Sequence, residues 1–66
     1  MIESLAAEMA DAILSRPPER RAAATVKAVG MYRLMLLREL HGATEATIDK
    51  AVDEFTREVA RRVAAG

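Results

Sequence analysis

Apolar residues recur along this chain at steps of three and four, the period of one face of an α-helix, and nowhere alternate as a strand would. Over residues 2–15 they fall at Ile2, Leu5, Ala6, Met9, Ala12 and Ile13, with Glu3, Glu8 and Asp11 on the other side and Leu14 off the stripe. Pro17-Pro18 ends this helix, because proline has no amide proton to donate and restricts the residue before it. Pro18 also suits the first position of a second helix, and Glu19 suits its first turn. That helix is expected over residues 18–41, closing at Gly42 in the left-handed conformation. Thr44 is the expected N-cap of a third helix over residues 45–64, with Thr47 as the competing choice. Ile48, Ala51, Val52, Phe55, Val59 and Val63 give it one apolar stripe. Lys50–Glu54, Asp53–Arg57 and Glu58–Arg62 stand at i,i+4 spacing on its polar side. The pattern predicts an all-α, three-helix single domain over residues 1–66.

The second helix is the exception to simple amphipathicity. Gly30 to Leu37 carries one charge in eight residues, whereas a surface helix of a small domain keeps one face polar. On a helical wheel it shows two apolar stripes. The broader holds Ala22, Val26, Val29, Gly30, Leu34, Leu37 and Leu40, and is expected to receive the other two helices. The narrower holds Ala24, Ala28, Met31 and Met35, flanked by Lys27, Arg38 and Glu39, and is expected to meet a partner, since small residues admit a close helix and methionines adapt to its shape. Arg33 lies inside the broad stripe, where a charge must snorkel, pair with a carboxylate such as Glu58, or serve a second chain. Tyr32 stands at the margin of that stripe with its hydroxyl near the rim.

Length strengthens the case for a partner. A chain of 66 residues buries only about 60% of the surface its unfolded form exposes. It contains no cysteine and a single histidine, so neither a disulfide nor a zinc site is available to reinforce it. Fourteen of its apolar residues are alanines, which favour helix and close backbone approach but contribute little buried volume. Association as a homodimer or larger helical assembly is the expected reinforcement.

Charge refines this picture. Ten acidic and ten basic residues cancel, which argues against a strongly basic nucleic-acid or membrane-surface protein. Their distribution is uneven: residues 1–15 sum to −3, residues 16–38 to +5, and the rest to −2. The basic middle places Arg16, Arg20, Arg21 and Lys27 around the proline corner, where they are candidate phosphate contacts. Two aromatic residues provide no stacking platform for single strands. No apolar run reaches the length of a membrane span and the N-terminus is acidic, so a soluble, cytoplasmic protein without membrane contact is expected.

No glycine-rich phosphate loop, nucleophile–base pairing or cofactor motif is present. His41, in the last turn of the second helix, lacks the partners of a catalytic set. The acid pairs Asp49/Asp53 and Glu54/Glu58 each have bases at pairing distance and suit solvated salt bridges better than a cation. The expectation is therefore a non-catalytic interaction module: a small regulator, adaptor or accessory subunit, with no cofactor or metal. It acts through Ala24, Ala28, Met31, Met35, Arg33 and Tyr32 on itself and on another protein. The alternative is a dimeric nucleic-acid-binding regulator that uses the basic corner of residues 16–27.

Overall fold

The computed structural model describes residues 2–66, with side chains from Ser4 onward, so the expected roles of the Ile2 and Glu3 side chains lie outside the described residues. The protein is all-α: helices α1 (Ile2–Leu14), α2 (Arg21–Glu39) and α3 (Glu45–Ala65) pack into one globule. The second helix begins three residues later than the pattern suggests. Pro18–Arg20 form a single 3-10 turn, closed by the Arg20 amide donating to Pro17 O at 2.9 Å. It also ends earlier, at Glu39. Leu40 leaves helical geometry at φ −101°, ψ 73°, and the Ala43 amide donates to Leu40 O at 3.3 Å. Gly42, at φ 84°, occupies the third position of that turn, where a positive φ is required and glycine supplies it without strain. Thr44 caps α3 as expected, its Oγ1 accepting from the Thr47 amide at 3.2 Å.

The chain runs up, down and up. The ends of α1 and α3 meet where Leu14 lies against Gly66, while α2 returns alongside α3 with Tyr32 on Phe55 and Arg33 on Asp49. The core consists of Ala6, Ala10 and Ile13 of α1, Ala28, Tyr32 and Leu36 of α2, and Ile48, Val52, Phe55 and Val59 of α3. α3 buries the stripe read from its sequence. On α1 the helix is turned slightly, so that Ala10 enters the core while Ala12, expected there, is exposed and Leu14 is half-buried. Of the i,i+4 pairs expected on α3, Asp53–Arg57 forms at 2.8 Å and Glu58–Arg62 at 2.7 Å, and Arg61 joins Glu58 at 2.5 Å. These two guanidiniums hold the Glu58 carboxyl below its ordinary range by hydrogen bonding.

α2 corrects the sequence reading. The broad stripe does not receive α1 and α3: Val26, Leu34, Leu37 and Leu40 are 74%, 61%, 50% and 42% exposed, and Ala22 and Gly30 face solvent with them. Only Val29 at its edge is half-buried. The opposite side turns inward, with Ala28, Tyr32 and Leu36 buried and Ala24 and Met35 packed against them. The reason lies in what each rotation brings together. Turning this side inward stacks Tyr32 on Phe55, ring centroids 4.0 Å apart and planes 8° from parallel, an arrangement worth about 0.5–1.5 kcal/mol beyond the area it buries. α1 packs chiefly on α3, leaving α2 with an unshared outer side.

Candidate functional site

The outer side of α2 is built by the four-residue repeat Ala22, Val26, Gly30, Leu34, with Leu37 and Leu40 continuing it. Consecutive i+4 positions form a ridge along the helix surface, and this ridge has a gap in its middle. Nothing lies within 4 Å of where a Cβ would stand at Gly30, so a second helix backbone can approach there. The large apolar residues exposed along this ridge, Val26, Leu34, Leu37 and Leu40, present on the order of 400 Å², within the range of the largest patch on a typical monomer.

Arg33 sits within this ridge but is neither buried nor paired with Glu58. It donates to Asp49 of α3 at 2.6 Å, with the two side chains 45% and 60% exposed. A pair that open contributes at most about 1 kcal/mol, and it edges the ridge with a hydrogen-bonded charge rather than an unpaired one. Tyr32, expected at an interface, is a core residue instead. Its burial, reinforced by the nearby Glu54 carboxylate, raises its pKa above the ordinary value. Among the described residues no side-chain nitrogen or oxygen that is itself shut off from solvent is left unpaired. Because the raised pKa favours the neutral phenol, its contribution to stability is complete below the unfolded value of about 10 and is lost as pH rises through the folded midpoint. Phenolate absorbance is expected to titrate at higher pH in the native protein than in concentrated urea. Coincident curves would mean that the ring is not packed on Phe55.

The remaining expected interface residues fall on a second surface, along another side of α2. Ala24 and Met35 are half-buried, Ala28 is buried and Met31 is exposed, and all four line open clefts. One, of about 360 Å³, has Ala24 and Ala28 at its base with Arg16, Arg20 and Lys27 around it. The other, of about 550 Å³, lies between Met31, Leu34, Met35 and Arg38. Met31 belongs to both, so they continue into one groove.

Arg16, Arg20 and Lys27 are exposed, and none forms an ion pair among the described residues. Arg21, grouped with them as a phosphate contact in the sequence reading, has a different occupation. It is half-buried, and its guanidinium donates to Arg16 O at 3.0 Å and Leu14 O at 3.1 Å. It thereby satisfies the Leu14 carbonyl that α1 leaves open at its C-terminus and the Arg16 carbonyl of the corner beyond it, where the helix dipole also favours a cation. Sequence spacing could not distinguish it from its neighbours, because the acceptors come together only when the corner folds. Arg21→Ala is expected to cost about 1 kcal/mol and lower the melting temperature by about 4–8 °C. A melt unchanged within a degree or so would return Arg21 to the free bases.

His41 is exposed, and no group of three or more metal-ligating side chains forms among the described residues. No helix is long and apolar enough to cross a membrane. No family model, curated protein or solved structure matches the chain.

Proposed function

We propose that this chain is a non-catalytic interaction module whose first partner is a second copy of itself, joined through the outer side of α2. The observation that carries this reading is the exposure of Val26, Leu34 and Leu37, each at half or more, on one ridge of a domain this small. Two copies of the patch bring together about 800 Å², the size of a weak, transient contact rather than of a permanent one. A two-fold contact uses the same patch on both subunits, and an antiparallel crossing at Gly30 places the gap of each ridge against the other. The narrow stripe, which the sequence put at the dimer contact, is displaced from that role because Ala28 and much of Met35 are spent within the subunit.

Light scattering coupled to size exclusion tests this reading. At micromolar concentration it should give twice the 7.2 kDa chain mass. A helical, cooperatively melting monomer across that range would reject it. Roles as a regulator, adaptor or accessory subunit all share this property and differ only in the second partner.

A further inference from the structure

We infer that the groove along the side of α2, flanked by Ala12 near the C-terminal end of α1 and by Arg16 just after it and open beyond, binds an acidic amphipathic helix of another protein. This deepens the interaction-module reading by naming the chemistry of a second partner; the groove borders the dimer ridge at Leu34 alone, and its Ala24, Ala28 and Met31 half lies off that ridge.

The groove runs beside α2, whose 19 residues extend about 28 Å, enough for a partner helix of five turns. Its floor is apolar and stepped: Ala24 and Ala28 make a shallow half, and Met31 and Met35 a deformable one. Alanines let a partner backbone come close, and unbranched methionines reshape around its side chains. Its edges are basic. Arg16 and Arg20 stand at one end, Lys27 part-way and Arg38 towards the other, opposed only by Glu39. Arg20, Lys27 and Arg38 are separated by seven and eleven residues, about 10 and 16 Å along the axis. Carboxylates at the same separations on a helix lying alongside would meet them, with its apolar face on the floor.

None of the described helices is left for this position. α1 and α3 have their apolar faces in the core, and their exposed acids have no free apolar stripe beside them. Charge complementarity therefore specifies a foreign segment. A phosphate backbone matches the edges but not the floor, and the surface has no aromatic residue on which bases could stack, since Tyr32 and Phe55 are both buried.

A fluorescent synthetic peptide of about 20 residues, with leucines at i, i+3, i+4, i+7 repeats and glutamates between them, probes the groove by anisotropy. It should bind the full chain in the micromolar range and weaken steeply with salt. Three changes should each weaken it about tenfold or more: scrambling the leucine positions at constant composition, replacing the glutamates by glutamine, and substituting Arg16→Ala, Arg20→Ala and Lys27→Ala together. The three bases are exposed and donate no side-chain hydrogen bond. Should that variant nevertheless lose helicity, the two peptide controls on the native protein decide alone.

Equal binding of the scrambled peptide would overturn the inference, because charge without the apolar floor would then suffice. So would absence of binding at about 1 mM, or tighter binding of duplex DNA that displaces the peptide and is lost in the same variant. Light scattering on the same samples separates the two proposals. A monomer that binds the peptide removes self-association and keeps the groove, and a dimer that ignores it does the reverse.

Discussion

Replacing Val26 and Leu37 together by lysine is expected to leave a folded monomer under conditions in which the proposed dimer of the native chain forms. Both side chains are at least half exposed, so their loss costs the isolated subunit little. In the dimer each would be covered by its copy, and burying a Val or Leu side chain contributes about 1.5–3 kcal/mol. With half to three-quarters of each side chain still exposed in the subunit, four of them per dimer amount to roughly 4–7 kcal/mol before any charge repulsion, a large share of the roughly 8 kcal/mol of a micromolar association. Light scattering should show the mass halved, with the far-ultraviolet helical signal retained. Gly30→Leu supplies a check that adds no charge. It relieves a glycine inside a helix, worth up to about 1 kcal/mol to the subunit, and nothing surrounds the position. It also fills the gap through which a second helix would approach. Weaker association with an equal or more stable subunit is the expected combination. A double-lysine variant that remains dimeric would move the contact off this ridge.

Phe55→Ala is expected to unfold the protein or nearly so. Phe55 is fully buried and supports Tyr32 through the stack, so truncation removes both its own burial and the pair, about 3–5 kcal/mol in total. A 66-residue domain has roughly 3–10 kcal/mol of stability to lose. Circular dichroism should show either a collapsed helical signal or a denaturation midpoint shifted far towards zero urea. Arg33→Ala, which removes only the exposed pair to Asp49, should shift the midpoint by less than about 1 kcal/mol. A small effect of Phe55→Ala would show that α2 is not held by the Tyr32 contact, and with it the outward direction of the leucine ridge would fall. If the native chain associates, its midpoint also rises with protein concentration, so the comparison belongs at one fixed concentration.

Where local chemistry decides structure, the amino-acid order was sufficient. The two prolines end α1, Thr44 caps α3, Gly42 takes the positive φ, and the α3 stripe from Ile48 to Val59 lies in the core. Each depends on a residue acting within a few positions of itself. The absence of strands and the presence of three helices follow from the same short-range periodicity. The identification of α2 as apolar on more sides than its subunit can cover was equally a matter of composition along one helix.

Which side of α2 faces inward was not decidable in that way, and the inward side determines where both candidate surfaces lie. Both rotations bury apolar residues, and side-chain size favours Val26, Leu34 and Leu37. Tertiary packing chose the other rotation, because only it places Tyr32 over Phe55, 23 residues further along, with Ala28 and Leu36 in the same core. The same long-range assembly gave Arg33 to Asp49 and Arg21 to the Leu14 and Arg16 carbonyls, while leaving Arg16, Arg20 and Lys27 free. A helical wheel records the angle of each residue around its own axis. It holds nothing about the neighbours that make one angle an interior and another a surface, and those neighbours exist only once three helices have met.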